Sequence, residues 1–234
     1  MKVGILTGGG DCPGLNPAIR GVVYRGIDLG FEFVGIQEGW RGLVKANYEP
    51  LGLTDVEEII YQGGTMLGSS RTNPFKNPDD LNAVLENIKS AKFDAIVACG
   101  GDGTVGDVAR GIYGTDTNLG VLPVGTGNDF ARNLGIPLDV KEACLAIMGG
   151  TIRYVDVGEI NGSIFINNAG IGFDSHVMKT MNSGIRFLRG QPAFMLAILK
   201  SIFVYKPFHL TLKTEDIELD VPKALLVSVL NGRS

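Results

Sequence analysis

A parallel α/β sheet followed by a β-rich segment is the fold class this sequence predicts, and three observations predict it. Apolar runs at Val3 to Thr7, Ala95 to Cys99 and Asn118 to Val124 each enter a glycine-rich turn, and a helix-like spacing follows. Strands alternating with helices imply a parallel sheet with its ligand at the carboxyl ends of the strands. From Thr151 the pattern changes to short strands joined by turns such as Asn161-Gly162. The expected organisation is therefore an α/β domain at 1–150 and a β-rich domain with a helical insertion at 151–234.

The chain is organised around Ala95 to Arg110, AIVACGGDGTVGDVAR. A buried strand ends at Cys99, Gly100-Gly101-Asp102-Gly103-Thr104 turns the chain, and Val105, Val108, Ala109 and Ile112 set a helical spacing. Strand, glycine turn and helix is the geometry that points backbone N–H groups at an anion. Asp102 is the exception, because a carboxylate repels phosphate. It makes sense if a cation such as Mg²⁺ lies between the two. The residues alone thus point to a metal-bound nucleotide phosphate.

In chain order, Val3 to Thr7 leads into Gly8-Gly9-Gly10-Asp11-Cys12-Pro13-Gly14 and a helix from Pro17 to Leu29. By spacing alone this is also an ordinary tight βα loop. Phe33 to Ile36 is a strand, and Gly39 to Asn47 a polar connection around Trp40. Thr54 to Ile60 reads as a helix capped by Thr54 with Glu57 completing a capping box. Gly63 to Pro74 is a polar connection in which Arg71 either forks onto phosphate oxygens or is a surface arginine. Helices are expected from Asn77 to Ser90, Phe130 to Leu134 and Val140 to Met148. Between them, Asn118 to Val124 enters Gly125-Thr126-Gly127-Asn128-Asp129, where Asp129 repeats the carboxylate logic or is a helix N-cap. Strands are expected at Arg153 to Ile160, Ser163 to Ala169, Phe208 to Lys213, Ile217 to Val221 and Ala224 to Leu230, with Asp174 to Tyr205 mostly helical. Ala224 to Leu230 needs a partner strand, so the sequence reads as ending inside a domain.

The 234 residues are 44% hydrophobic and 20% charged, which suits a folded soluble protein with a real core. A formal charge of −4 and a pI near 5.2 argue against nucleic acid as partner. Cys12, Cys99 and Cys144 have no metal-ligand spacing and suit a reducing cytoplasm. His176 and His209 read as structural. No signal peptide is visible, and the apolar run Ala193 to Tyr205 is too short to span a membrane.

Two families are visible in these residues. ILTGGGDCPGLNPAIRG (5–21) and GGTMLGSSRTNPF (63–75) make residues 1 to about 99 resemble bacterial 6-phosphofructokinases, and GGDGT at 100–104 fits that family too. In that family a glycine at the position of Gly103 goes with ATP and an aspartate with pyrophosphate. From about residue 100 the chain resembles bacterial diacylglycerol kinase-like lipid kinases. The matching runs are GGDGTVGDVARGI (100–112), LGVLPVGTGNDFARNLGIP (119–137), DVGEINGSIFINNAGIGFDSHV (156–177) and LLVSVLNGRS (225–234). The two families are similar in sheet topology around GGDGT, so a fused, chimera-like chain with its seam there is physically reasonable. The resemblances imply an ATP site of Gly9, Gly10, Arg71, Thr72, Gly100, Gly101, Gly103, Thr104, Gly125, Thr126 and Asn128. They imply Mg²⁺ on Asp102, with Asp102 and Asp129 as catalytic residues.

Departures from both families bound the expected activity. Gly127 stands where phosphofructokinases carry the aspartate base on the sugar hydroxyl, and losing a positioned base removes roughly 10²–10⁴-fold of rate. Little sugar kinase activity is therefore expected. The lipid kinases' asparagine–proline–glycine loop is replaced by GGGDCPGLN, and Gly106-Asp107 replaces their asparagine–glutamate pair. Their glycine-rich run and glutamate base after Asn231-Gly232-Arg233 are absent from the sequence. The leading reading is a kinase-fold protein that transfers, or once transferred, the γ-phosphoryl of Mg-ATP to a lipid hydroxyl. The alternatives are an ATP-dependent 6-phosphofructokinase and an inactive fusion that only binds nucleotide. The expected partners are nucleotide and a lipid or sugar-phosphate acceptor, with transient membrane-surface contact and a homo-oligomer, in the cytoplasm.

Overall fold

The computed structural model describes residues 1–10, 14–184 and 191–231. They form two compact units, one of Met1–Asn167 and one from Asn168 onward.

The first unit runs β1 (Lys2–Thr7), α1 (Leu15–Asp28), β2 (Glu32–Ile36), α2 (Trp40–Val44), β3 (Tyr48–Leu51), α3 (Leu53–Val56) and α4 (Pro78–Ala91). It continues with β4 (Ala95–Gly100), α5 (Asp102–Ile112), β5 (Asn118–Pro123), α6 (Asp129–Leu134) and α7 (Val140–Met148). A hairpin of β6 (Gly158–Ile160) and β7 (Ser163–Phe165) follows. Its turn residues Asn161 and Gly162 both have positive φ, as a two-residue hairpin turn requires.

The main sheet has the order β3-β2-β1-β4-β5. β1 pairs in parallel with both β2 and β4, and β4 with β5. From β1 the chain moves outward through α1 to β2, and from β4 it moves the other way through α5 to β5. The sheet therefore reverses its winding between β1 and β4, where an open α/β sheet leaves a crevice at its carboxyl edge.

Both faces of the sheet are covered. Val3, Ile5, Val97, Cys99 and Leu122 bury against Ile19 and Val22 of α1 and Ala143 of α7. Leu6, Ile96, Ala98 and Val121 bury against Val84 and Ile88 of α4 and Val105 and Val108 of α5. That double burial is why these strands read as continuous apolar runs. Each buried Val, Leu or Ile side chain among them contributes about 1.5–3 kcal/mol.

Several expectations are corrected. The connection after β2 holds the short helix α2, which buries Trp40 and Leu43. Tyr48–Leu51 adds an antiparallel edge strand beyond β2; its Pro50, which has no N–H to donate, suits an edge. Thr54 caps nothing: Asp55 Oδ2 accepts the Gly52 N–H at 2.7 Å, and α3 is only one turn long. Asp129 is the first helical residue of α6 rather than its N-cap; the cap is Asn128, in a left-handed conformation. Of the strand expected at Arg153 to Ile160, only Gly158–Ile160 forms, and residues 151–157 are exposed without regular structure.

In the second unit β8 (Asn168–Gly172), α8 (Phe173–Gly184), α9 (Gln191–Val204), β9 (Phe208–Lys213), β10 (Glu218–Ala224) and β11 (Leu226–Leu230) follow. β11 pairs antiparallel with β8, and β10 with β9. The expected strand Ala224 to Leu230 is thus divided, with Ala224 ending β10. Val177 of α8 and Ala197 of α9 centre a small cluster with Phe173 and Ile198. No helix among the described residues is long and apolar enough to cross a membrane.

Candidate phosphate site

The registers Thr7↔Cys99 and Gly100↔Pro123 align the carboxyl ends of β1, β4 and β5. Each strand there hands over to a glycine turn, and one buried side chain lies between the first two. Thr104, 8% exposed at the start of α5, fills the space that side chains on Gly8 and Gly100 would need. A Cβ on Gly8 would stand 2.7 Å from Thr104 Oγ1, and one on Gly100 2.7 Å from Thr104 Cβ. Gly9 adopts φ 86°, the left-handed region that favours glycine.

The second and third turns meet backbone to backbone. A Cβ on Gly125 would stand 2.8 Å from the Gly101 nitrogen and closer still to its Cα. Asn128 closes the third turn, its Oδ1 accepting the Gly125 N–H at 3.1 Å and its Nδ2 donating to Pro123 and Gly125 carbonyls. That side chain is committed to its own loop, leaving Thr126 and Gly127 exposed.

Asp102 begins α5, where a carboxylate is favoured by the helix N-terminus. Its Oδ1 accepts the Phe130 N–H at 2.9 Å, which locks the start of α5 to that of α6. Its Oδ2 would lie 2.9 Å from a Cβ on Gly127, and Asp129 Oδ2 3.7 Å from the same point. The two carboxylates therefore flank one gap, kept open by the glycine. Gly103 is exposed, and a Cβ there would meet no atom within 4 Å.

The loop that carries Arg71 and Thr72 is tied to the same edge. Thr7 Oγ1 donates to the Gly68 carbonyl at 2.7 Å, and Ser70 Oγ to the Glu38 carbonyl at 2.7 Å. Fully buried Asn16 accepts the Met66 N–H at 2.7 Å and donates to the Gln62 carbonyl at 3.1 Å. Arg71 itself is exposed and makes no hydrogen bond or ion pair among the described residues. Thr7, Asn16 and Ser70 were not singled out in sequence; a polar residue ending an apolar strand, as Thr7 does, was the available signal. Gly10 also has open space beside it, while Asp11, Cys12 and Pro13 lie outside the described residues.

Among the described residues, neither Cys99 nor Cys144 offers a nucleophile. Burial, and secondarily Cys144, pushes the Cys99 thiol far above its ordinary range. Burial, then Asp139, pushes Cys144 up to about 11. No group of three or more metal-binding side chains occurs among the described residues.

The phosphofructokinase family model matches residues 2–133, more than half of the chain and all three glycine turns. The chain belongs to the phosphofructokinase family. Over 134 residues it is 57% identical to a pyrophosphate–fructose 6-phosphate 1-phosphotransferase of Dictyoglomus thermophilum, covering 57% of this chain and 37% of that protein. Over 138 residues it is 37% identical to an ATP-dependent 6-phosphofructokinase of Vibrio campbellii, covering 52% and 43%. The chain thus spans less than half the length of these curated relatives. A solved diacylglycerol kinase from Bacillus anthracis str. Sterne matches 99% of this chain and 64% of its own, at 21% identity and a TM-score of 0.53. That likeness concerns the fold. The phosphofructokinase resemblance seen in the sequence is borne out, and the lipid kinase resemblance at the level of the fold; the phosphofructokinase family's match runs past residue 99 through the GGDGT and GTGND turns to Asn133.

Proposed function

We propose that the β1–β4–β5 edge binds the phosphates of a magnesium-bound donor, and that the chain transfers a phosphoryl group from it to an alcohol. The observation that carries this is the backbone meeting of Gly101 and Gly125 beside Asp102. Side-chain-free turns let phosphate oxygens approach N–H groups directly, and fixed donors of this kind stabilise phosphoryl transfer by electrostatics and positioning. The Asp102 and Asp129 carboxylates fit magnesium, which takes one or two carboxylates together with phosphate oxygens and water. Bound there, the ion would neutralise charge on the donor phosphates. Asp102 keeps its orientation through the Phe130 N–H, and Thr126 and Arg71 are exposed to donate to phosphate oxygens.

ATP is the donor supported by Gly103, since an aspartate there goes with pyrophosphate in this family. The 57% identity to a relative named for pyrophosphate supports the second donor. A lipid hydroxyl, reached by contact with a membrane surface, is the acceptor supported by GGDGT together with GTGNDFAR. Fructose 6-phosphate is supported by the relatives' names, and opposed by Gly127 at the base position. The donor site belongs to the proposed 1–150 domain, and the sparse thiols support a cytoplasmic setting.

Calorimetric titration with Mg-ATP, Mg-ADP and Mg-pyrophosphate tests the donor site, with Asp102→Ala expected to lose the heat. Radiolabel transfer to diacylglycerol in micelles and to fructose 6-phosphate assigns the acceptor. Heat without either transfer would leave a nucleotide-binding protein without turnover, and no heat with any donor would sink the proposal.

A further inference from the structure

The exits of β1 and β2 grip one segment of chain, residues 67–70, that ends immediately before Arg71. Glu38 follows β2 with φ 54°, a left-handed conformation uncommon for a residue with a side chain. Gly39 after it has φ 57°, and a Cβ there would stand 2.7 Å from the Thr7 carbonyl oxygen. The turned Glu38 backbone meets the segment with both of its polar groups. Its N–H donates to the Leu67 carbonyl at 2.6 Å, and its carbonyl accepts the Ser70 hydroxyl at 2.7 Å. From the β1 side, the hydroxyl of fully buried Thr7 donates to the Gly68 carbonyl at 2.7 Å.

The far side of Arg71 is held as well. Asn73 Oδ1 accepts the Phe75 N–H at 3.0 Å, and Pro74 is buried. Arg71 and Thr72 are thus the two residues between a hydroxyl anchor and a capped turn. The ties at Leu67 and Gly68 use backbone carbonyls, which any residue supplies. The tie at Ser70 uses a side chain, and it is the one adjacent to the arginine.

We propose that Ser70 is a positioning residue for Arg71, its hydroxyl bond to the left-handed Glu38 fixing the arginine's backbone where the guanidinium reaches the donor phosphates. This inference rests on the donor-phosphate reading above, and it adds a residue that acts through Arg71 rather than on a ligand. Fixing the chain on both sides of Arg71 removes conformational freedom that phosphate binding would otherwise have to remove. A guanidinium gains most from such pre-organisation, because its forked contact to phosphate demands direction as well as charge. Without the hydroxyl, the segment keeps its ties at Leu67 and Gly68, but the residue next to Arg71 is released.

Calorimetry on the full chain at fixed magnesium, with Mg-ADP and Mg-pyrophosphate as probes, compares Ser70→Ala, Ser70→Thr, Arg71→Ala and the double alanine variant. Ser70→Ala is expected to weaken whichever probe the unchanged chain binds by about fivefold, the size of one hydrogen bond. In the Arg71→Ala background the same change should cost nothing further, because no arginine is left to aim. Ser70→Thr keeps the hydroxyl and should bind like the unchanged chain. Unchanged affinity in Ser70→Ala, an equal loss with and without Arg71, or a loss in Ser70→Thr as large as in Ser70→Ala would each overturn the inference. Full affinity in Arg71→Ala would overturn it too while leaving the donor site standing. An unchanged chain that binds neither probe would bring down the donor site itself.

Discussion

The unit of Met1–Asn167 and the unit from Asn168 onward use their apolar residues in opposite ways. In the first, Leu6, Ile36, Ile96 and Leu122 are fully buried between sheet and helices. In the second, α9 is apolar almost all round, yet Met195, Ile202 and Phe203 are exposed, Phe203 at 81%. β9 alternates half-buried and exposed positions, its outward His209 and Lys213 paired across the strand with Asp220 and Glu218. The difference teaches where each architecture gets its specification. Burial on two faces determines the first, whereas strand register and cross-strand pairs order the second.

The largest effect expected from this contrast is on stability. Ile96→Ala should cost about 2–5 kcal/mol in denaturant unfolding, whereas Phe203→Ala should stay within about 0.5 kcal/mol. Comparable losses from the two would break the contrast. Next in size is Gly125→Ala, whose new methyl meets the Gly101 backbone. It should destabilise the first unit by about 1–3 kcal/mol and reduce Mg-ADP heat, because both turns must shift. Normal binding in that variant would show that the close backbone contact is dispensable.

The smallest effects sharpen the contrast through opposite pH signs. Burial, partly offset by Arg110, raises the Asp107 carboxyl, so its favourable contribution exists below the unfolded value and is lost as pH rises through the folded one. Asp107→Asn should therefore stabilise the first unit slightly at pH 7 and have no such effect at pH 3. Hydrogen bonds from His209 and then Thr211 lower the exposed Asp220 carboxyl, so its contribution is present above the unfolded value and lost as pH falls through the folded one. Asp220→Asn should slightly destabilise at neutral pH and lose that effect in acid. Paired unfolding curves at these pH values check both signs.

The glycine turns and the main strands were legible because each obeys a local rule. An apolar run followed by glycines and a helical spacing reads the same way at Gly8, Gly100 and Gly125. Elements set by distant partners were less legible. β3 carries Pro50 and little alternation, and exists because it lines the edge of β2. Residues 151–157 have strand composition, but among the described residues they join no sheet. Asp129 resembles an N-cap in sequence, but left-handed Asn128 takes that place because its side chain closes the preceding turn.

By itself, the sequence determined the parallel α/β class, the three strand–glycine–helix units and the placement of Asp102 at the head of a helix. Glycine conformational freedom and apolar periodicity are local properties and need no partner to be read. Only the tertiary structure decided that the three turns share one edge, that Gly101 touches Gly125, and that Asp102 is held by Phe130. It alone set the Glu38 backbone against the Ser70 hydroxyl. Those facts depend on strand order and register, which follow from which surfaces bury together rather than from any one stretch of chain.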